Sequence, residues 1–421
     1  MRHHAAAGEA ALPLALALAA LIGAGAASAQ ERGVTVVLPE EPDIIDPCEA
    51  SRSTVGRVVK QNVTETLTEI DPRDGSITPR LATSWEQVDG DTWRFRLREG
   101  VKFHDGEDFD AEAAAHAIKR TLNENMDCEI RIKFFGGVKV TPEVVDAHTL
   151  DVTTDPPQPI LPTVMGTMTI VSPNTPMDER TRDPIGTGPY RFANWEGGQR
   201  IVLERFEDYW GERPEVETAT YLWRTESQVR AAMVGTGEAD IGMNISPQDA
   251  TDPEMDFSYP DSETTRLRIT LDEPPLDDIR VRRALNLAVD REALRGSILS
   301  EDVVPATQLV WSSINGYNPD LKPWPYDPEE AKRLLDEARA DGAPLDQPIT
   351  MIGRLALFAG SDEMMEALWA MYQEVGLNVD LQIVEVAQWV DIATKPHAED
   401  RPPMLIEEMH DNNNGDAVFT V

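Results

Sequence analysis

Cysteine is rare in this chain, and the short motifs that mark common enzyme classes are missing from it. Only 2 of the 421 residues are cysteine. The sequence has no G-x-S-x-G nucleophile elbow, no H-E-x-x-H zinc motif and no G-K-[ST] after a glycine-rich loop. No apolar run reaches the length of about 20 residues that a membrane helix needs. These absences argue against the enzyme classes that use such motifs and against a membrane-spanning helix.

Positive charge is also in short supply. Lysine and arginine number 38 against 75 aspartates and glutamates, so the formal net charge at pH 7 is −37. Nucleic acids and anionic membranes are polyanions that select basic proteins, and neither is an expected partner. We interpret the excess as a solvated acidic surface. A chain of this length with 41% hydrophobic residues exceeds what one core organises, so we expect about two or three domains.

The N-terminus has the pattern of a secretory signal peptide, which we assign to residues 1–29. Arg2 opens a polar start, residues 10–22 form an apolar run, and Ala27-Ser28-Ala29 fits an A-x-A cleavage site. No cysteine near that site could carry a lipid. The leader predicts a freely soluble secreted protein in the periplasm of a two-membrane bacterium.

The two cysteines, Cys48 and Cys128, both lie beyond the leader and would reach an oxidising compartment. Metal or redox chemistry is one interpretation, but neither residue has a C-x-x-C partner or a nearby histidine pair. An even cysteine count in a secreted chain favours a structural disulfide. Closing so long a loop should stabilise the fold by about 4 kcal/mol in the chain-entropy model.

A period of two predicts a strand with one buried face where Trp93, Phe95 and Leu97 alternate with arginines. We expect a turn after it and a second short strand from Val101. A helix should follow, because Asp110 is a suitable N-cap for the sequence AEAAAHAIKR.

Similar patterns cover the rest of the chain. We expect an apolar strand at residues 34–38 and a helix at residues 53–67, whose valines and leucine share one face. From Ile201 onward strands and helices alternate as in layered α/β lobes.

Two later helices have clear boundary signals. Asp327 as N-cap with Glu330 predicts a capping box, and Gly342 ends that helix. The helix expected at residues 361–376 carries a methionine stripe, which we interpret as core packing rather than a soft-metal site.

Several segments, in order, resemble one protein family. The string LATSW...W.F.LR.GV.FHDG within Pro79–Gly106 resembles the signature of the family 5 solute-binding proteins of ABC importers, which include dipeptide, oligopeptide and nickel binders. The resemblance continues through Pro184–Gly211 with the following Arg230–Gly242, through Pro275–Leu294, and through Tyr326–Gly342. A match spread over the chain is harder to produce by accident than one short motif.

The resemblance implies an α/β fold of the two-lobed periplasmic-binding-protein type, with mixed sheets, a hinge between the lobes and an inserted subdomain. The implied division is 30–46 for the first part of lobe I, 47–172 for the inserted subdomain, 173–272 for the rest of lobe I, and 273–421 for lobe II. Relatives have a final segment that crosses back to lobe I, whereas this sequence stops in the apolar run at residues 417–421. We therefore expect a fragment that lacks its C-terminal segment.

The resemblance implies a monomer that binds a small polar solute, such as a peptide or an opine, between its lobes. It would deliver the solute to an ABC permease in the inner membrane, with no cofactor and no bond made or broken. A secreted α/β hydrolase or metalloenzyme is the alternative, and a chaperone-like cleft protein is a third hypothesis. A metal site at His104-Asp105 and His116 competes with plain turn chemistry and a helix face, which we prefer.

The resemblance also implies ligand contacts. Arg354, at the end of an expected strand, stands where peptide-binding relatives place a carboxylate-binding arginine; a surface arginine is the alternative. The run from Asp411 to Asp416 resembles the loop in which dipeptide binders hold the ligand amine with an aspartate, and Asn413 occupies that position. Because asparagine supplies no charge, a ligand without a free α-amino group stays open, as does a plain polar turn. The remaining candidates are Trp389, Ser51, Ser53 and Thr54.

Overall fold

The computed structural model describes residues 33–50, 53–71, 73–126, 128–259, 263–393, 401–411 and 416–417, with the backbone alone at 53 and 411. The leader assigned to residues 1–29 lies outside this range. The strands are β1 (Gly33–Leu38), β2 (Glu65–Thr66), β3 (Thr68–Ile70), β4 (Ile77–Pro79), β5 (Ala82–Gln87), β6 (Thr92–Leu97), β7 (Lys139–Asp146), β8 (Thr149–Asp155), β9 (Thr169–Ile170), β10 (Tyr190–Glu196), β11 (Arg200–Arg205), β12 (Thr218–Trp223), β13 (Ile241–Gly242), β14 (Glu263–Ile269), β15 (Ile349–Arg354), β16 (Val379–Val384) and β17 (Met404–Asp411). The helices are α1 (Ser53–Val59), α2 (Ala111–Thr121), α3 (Glu129–Phe134), α4 (Leu161–Val164), α5 (Ser227–Thr236), α6 (Ile279–Leu287), α7 (Arg291–Leu294), α8 (Pro328–Ala340), α9 (Ser361–Glu374) and α10 (Val386–Ala393).

The first sheet has the order β10-β11-β12-β1-β13. Strand β1 is parallel to both β12 and β13, whereas β10, β11 and β12 form an antiparallel meander. Val37 and Leu38 of β1 are successive residues and both fully buried, as expected for a strand covered on both faces.

The second sheet has the order β14-β17-β15-β16, in which β15 is parallel to β16 and β17 and β14 is antiparallel to β17. This topology corrects the boundary placed at residue 273. The predicted lobe I part, ending at 272, includes β14, but β14 pairs with β17 from Glu263↔Asp411 to Ile269↔Leu405. Its backbone hydrogen bonds are satisfied in the second sheet, so the junction between the lobes precedes residue 263.

A third sheet, β5-β6-β8-β7, lies within the predicted subdomain. Phe95 and Leu97 of β6 are buried, as the period of two predicts. The prediction of a strand from Val101 is wrong. The segment forms one isolated β-bridge, Lys102↔Asp108, and belongs to none of the described strands. Val101 and Phe103 are buried, so they anchor an irregular loop and are not part of a β-ladder.

Helix boundaries follow the capping signals more closely than the apolar spacing. The Asp110 Oδ1 accepts from the Ala113 N–H at 2.9 Å, which starts α2 as predicted. The helix expected at 53–67 ends at 59, and the chain then turns through Gln61, whose φ is 63°. At α8, Asp327 caps Glu330 N–H at 3.0 Å, but the Glu330 carboxylate pairs with Arg333, so the capping box is only half formed.

Among the described residues, two large hydrophobic cores and two smaller clusters underlie the sheets. One contains Leu38 and Leu203 of the first sheet together with Phe95 of the third, so the first and third sheets share it. The other contains Met351 and Leu405 of the second sheet with the helices that cover it. The disulfide Cys48–Cys128 is present and crosslinks the first core. Within the described residues, no helix has the length and apolar character required to cross a bilayer.

The FHDG motif is in direct contact with the segment GTGPY, residues 186–190. The His104 Nδ1 accepts from the Gly186 N–H at 3.3 Å, and the opposite ring nitrogen lies 2.9 Å from the Gly188 carbonyl oxygen. Burial lowers the pKa of His104 to about 4, so the ring is neutral and donates from Nε2. The motif histidine therefore holds two chain segments together.

The buried side chain of Glu65 also holds this region together. Its carboxylate is fully buried and accepts from Arg80 Nε at 2.7 Å and Tyr209 Oη at 3.0 Å through Oε1. Its Oε2 accepts from Trp210 Nε1 and Thr187 Oγ1, each at 2.8 Å. Four donors compensate the burial of this charge.

Replacing Gly186 by alanine is expected to lower the free energy of unfolding by about 1–3 kcal/mol, the range for overpacking. An added Cβ would lie 2.0 Å from the Val63 carbonyl oxygen and 2.8 Å from the Thr64 Cα. Urea denaturation measures the change. Gly197→Ala is the control, because no atom of the described residues lies within 4 Å of its added Cβ, and equal stability losses in the two variants would contradict the prediction.

Candidate ligand-binding site

The carboxyl ends of three strands meet at one edge of the second sheet. Because β15, β16 and β17 all run parallel, Arg354 at the end of β15 and Asp411 at the end of β17 share this edge, and Trp389 lies on α10 directly after β16. Ligands of open α/β sheets bind outside the carboxyl ends of the strands. The fold thus gathers three predicted site residues at the expected edge.

The guanidinium of Arg354 forms no hydrogen bond or ion pair to any described residue, and its Nε is buried without a partner. Arginine has five N–H donors in a planar fork that matches a carboxylate. An unpaired buried donor carries a desolvation cost, which an incoming carboxylate would remove. Arg354 therefore has unused capacity for an anionic group.

Glu407, which sequence analysis did not identify, joins the two predicted residues. Its Oε2 accepts from the Arg354 backbone N–H at 3.0 Å, and its carbonyl oxygen accepts from Trp389 Nε1 at 2.9 Å. The residue is 0% exposed. Burial raises the pKa of Glu407 to about 7, the Arg354 N–H and charge oppose that rise, and the neighbouring Asp362 adds to it.

The segment after Arg354 is conformationally strained. Ala356 has a φ of 52°, in the left-handed region that favours glycine. Its N–H donates to Asp362 Oδ1 at 3.0 Å, which holds the turn against the start of α9. Backbone strain of this kind concentrates at functional sites, where surrounding structure maintains it.

The loop predicted to hold the ligand amine is described only at its ends. Asn413 lies outside the described residues, and Asp411 is known through its backbone pairing with Glu263. Asp416 is largely buried, and its Oδ2 accepts from Asn315 Nδ2 at 2.8 Å. In this position the Asp416 carboxylate holds the end of the loop against Asn315.

The carboxyl edge of the first sheet carries the candidates from the start of the chain. Thr54 Oγ1 donates to Glu40 Oε1 at 3.0 Å, just beyond the end of β1. Ser53 begins α1, and Ser51 lies outside the described residues. Thr54 therefore lies at the edge of the first sheet, whereas Arg354 lies at the edge of the second.

Arg230, a second residue missed by sequence analysis, supports this edge. It is 3% exposed and donates to the carbonyl oxygens of four described residues, Arg224, Thr225, Met243 and Asn244, at 2.6–2.8 Å. It thereby ties the loop after β12 to the loop after β13.

A sequence signal for Glu407 did exist. In β17 side chains alternate, so Glu407 shares a face with Leu405, a fully buried core residue. A buried strand face normally carries apolar side chains, so a carboxylate there is the informative exception. No corresponding signal marks Arg230 within its helix.

The histidines considered as metal ligands make main-chain contacts. A His116 ring nitrogen lies 3.0 Å from the Thr175 carbonyl oxygen, and both His104 nitrogens contact residues 186–188. In the part of the chain that the structure describes, no three histidine, cysteine or acidic side chains cluster as a metal site would require.

The class of protein follows from comparison with known sequences. The profile of the bacterial extracellular solute-binding proteins, family 5 Middle, matches residues 76–416. The chain belongs to this family. The glutathione-binding protein GsiB of Salmonella paratyphi A is 31% identical over 337 residues, covering 77% of this chain and 64% of the relative. The dipeptide-binding protein of Escherichia coli K12 is 28% identical over 384 residues, covering 82% and 69%.

Comparison of folds agrees. NikA from Brucella suis, solved in complex with Fe(III)-EDTA, superposes with a TM-score of 0.77 at 26% identity, covering 90% of this chain and 79% of NikA. The predicted two-lobed α/β fold is confirmed. GsiB and the Escherichia coli relative are named as binding proteins, which supports the solute-binding interpretation and gives no support to a hydrolase or metalloenzyme. The chain spans less than two thirds of the length of GsiB, 64%.

Proposed function

We propose that this chain is the periplasmic solute-binding component of an ABC import system. It binds a peptide or peptide-like polar solute between its two lobes and delivers it, as a monomer, to the permease in the inner membrane. Family membership supports the solute-binding role, and the signal-peptide pattern of residues 1–29 supports export.

One observation carries the ligand class. Arg354 lies at the carboxyl edge of a parallel sheet with a guanidinium that no described residue neutralises. In a chain with nearly twice as many acidic as basic residues, an unpaired arginine at this edge is suited to an anionic ligand group. The ligand proposed is therefore one with a free carboxylate.

The two cores support closure around that ligand. Lobe I and the inserted subdomain share one core, and lobe II has its own, so the lobes can move relative to each other as units. Thr54 and Arg354 lie at the carboxyl edges of opposite lobes. A ligand that touches both edges selects the closed arrangement.

The amine side of the site distinguishes this chain from dipeptide binders. Asn413 stands where the resemblance places an aspartate, and an amide accepts a hydrogen bond without countering a positive charge. Opines and peptides with a blocked amine therefore belong in the ligand screen beside glutathione and alanyl-alanine. A solute present at 100 times its dissociation constant should stabilise the protein by about 2.7 kcal/mol, which thermal shift detects.

Arg354→Ala is expected to weaken binding of a carboxylate ligand by about 1.5–3 kcal/mol, the range for a charge-assisted hydrogen bond. Isothermal titration calorimetry with the best ligand of the screen measures the change. Arg339→Ala is the matched control, since Arg339 is half exposed on α8 and, among the described residues, pairs only with Asp336. Unchanged affinity in a folded Arg354→Ala protein would remove Arg354 from the site and refute the proposed ligand class.

A further inference from the structure

The side chain of Arg354 shares one face of the second sheet with other charged side chains. The parallel register of β15 and β17 pairs Ile352 with Ile406. Arg354 and Glu408 each lie two residues further along these strands, so they project from the same face as that pair. On the other side of β17, Arg266 of β14 lies directly opposite Glu408. Arg266, Glu408 and Arg354 therefore form a row across three neighbouring strands.

Glu408 is the acidic member of this row, and both of its oxygens are already paired. Its Oε2 accepts from Arg266 Nε at 3.3 Å and from Arg266 Nη2 at 3.1 Å. Its Oε1 lies 3.2 Å from the Nε of Arg268, whose Nη2 donates to the Ala393 carbonyl oxygen at 2.7 Å. One carboxylate thus serves two guanidinium groups, and no other described acidic side chain forms an ion pair with them.

This face of the sheet has a surplus of positive charge. Arg354 adds a third guanidinium, whose Nε is buried without a partner, so three described cations face one described anion. The whole chain has a formal net charge of −37, and its composition therefore does not account for a cationic cluster. A buried cation that lacks a counter-charge is costly, and an anionic group from a ligand would offset that cost.

The row lies next to an apolar cluster at the carboxyl edge. Ile352 and Ile406 belong to this cluster, and Trp389 of α10 packs against it. Charges interact more strongly where apolar neighbours replace water. The Arg266 side chain is 32% exposed, and its Nη1 has no hydrogen-bond partner among the described residues. Arg266 therefore keeps donors for an incoming anionic group.

We propose that Arg266 is a specificity-determining residue that binds a second anionic group of the ligand, so that the preferred solute is a dicarboxylate. The proposal rests on the proposed function, in which Arg354 binds one ligand carboxylate. The backbones at Arg266 and Arg354 lie two strand spacings apart, about 10 Å, and two carboxylates of one dipeptide-sized molecule fit that span. Because Arg268 shares the Glu408 carboxylate, Arg266 is only partly neutralised within the protein.

Calorimetry on the full chain at pH 7 tests the proposal with two matched pairs of dipeptides. Alanyl-glutamate and alanyl-glutamine place the variable group near the terminal carboxylate, whereas aspartyl-alanine and asparaginyl-alanine place it further away. The members of each pair share the amine and the terminal carboxylate and differ by one carboxylate replaced by an amide. In at least one pair, the wild type should bind the acidic member about tenfold more tightly or better, as expected for a charge-assisted hydrogen bond.

Two substitutions in the row should change that ratio in opposite directions. Arg266→Gln should bring the ratio of the two affinities close to one and leave the affinity for the amide member unchanged, because only the second carboxylate contacts Arg266. Glu408→Gln should increase the ratio, because it removes the anion that competes for Arg266. A salt bridge with a purely structural role would not give that increase.

Arg94→Gln is the matched control. Arg94 lies directly opposite Asp151 in the third sheet and pairs with it, and its side chain is 29% exposed, close to the value for Arg266. The substitution removes the same charge from the same kind of cross-strand pair, so the wild-type ratio should persist. An equal fall of the ratio in Arg94→Gln and Arg266→Gln would mean that net charge, and not contact with Arg266, sets the preference.

The remaining outcomes separate this proposal from the proposed function. Equal affinities within both pairs, or a ratio that persists in Arg266→Gln, overturn the role of Arg266, while the proposed function stands if Arg354→Ala still weakens binding. Failure of all four dipeptides to bind overturns the proposed ligand class. In that case thermal shift with glutarate and its monoamide tests the cluster itself. Stabilisation by glutarate alone, lost in Arg266→Gln, supports a site for two carboxylates, and equal shifts with the two compounds refute it.

Discussion

Replacing Arg120 by alanine is expected to lower the free energy of unfolding by about 3–5 kcal/mol. Arg120 and Asp46 form a salt bridge of 2.7 Å between Nη2 and Oδ2, and their side chains are 1% and 0% exposed. Asp46 also accepts from the Thr181 N–H at 2.6 Å and the Cys48 N–H at 2.9 Å. Loss of the cation would leave this buried carboxylate without its counter-charge.

Urea denaturation at pH 7 measures that loss, and Arg333→Ala provides the comparison. Arg333 pairs with Glu330 and Glu337 on the exposed surface of α8. Surface ion pairs contribute about 0–1 kcal/mol, so the control should change little. A loss below about 1 kcal/mol for Arg120→Ala would mean that Asp46 is not held as a buried anion.

Removing the disulfide by a paired Cys48→Ser and Cys128→Ser change should lower the free energy of unfolding by about 4 kcal/mol in the chain-entropy model. The bond closes a sequence separation of 80 residues. Both cysteines are buried in the core shared by lobe I and the inserted subdomain. Denaturation of oxidised, reduced and doubly substituted protein gives the same quantity by independent routes.

The same variant should select the same ligand as the wild type, because the crosslink lies away from the Arg354 edge. Non-reducing peptide mapping of the mature protein provides the chemical check. Recovery of both peptides with free thiols would contradict the bond. A changed ligand preference in a folded double variant would contradict its purely structural role.

Local sequence predicted the elements whose signals are local. Asp110 and Asp327 start helices because an N-cap needs only the N–H groups a few residues ahead. The alternation at Phe95 and Leu97 identified a strand because the period of side chains is a property of the strand itself. The helix expected at 53–67 ends at residue 59, because the later apolar residues are buried by a chain that no longer follows the helix.

Pairs of residues that are far apart in the chain could not be predicted from local sequence. Arg120 and Asp46 are 74 residues apart, and nothing in the sequence AEAAAHAIKR marks its arginine as the buried member of an ion pair. Glu407 and Arg354 are 53 residues apart and meet only because β17 lies beside β15. The same sheet decides that β14 belongs to lobe II.

By itself, the sequence determined the family and the one pairing that two cysteines allow. It also predicted an export signal and Arg354 as a candidate contact for a carboxylate. Only the tertiary structure decided that Arg354 keeps an unpaired guanidinium and that Glu407 lies buried beside it. The physical reason is that charge in a protein site depends on burial and on the neighbouring groups. Strand order sets both, through contacts between residues far apart in the chain.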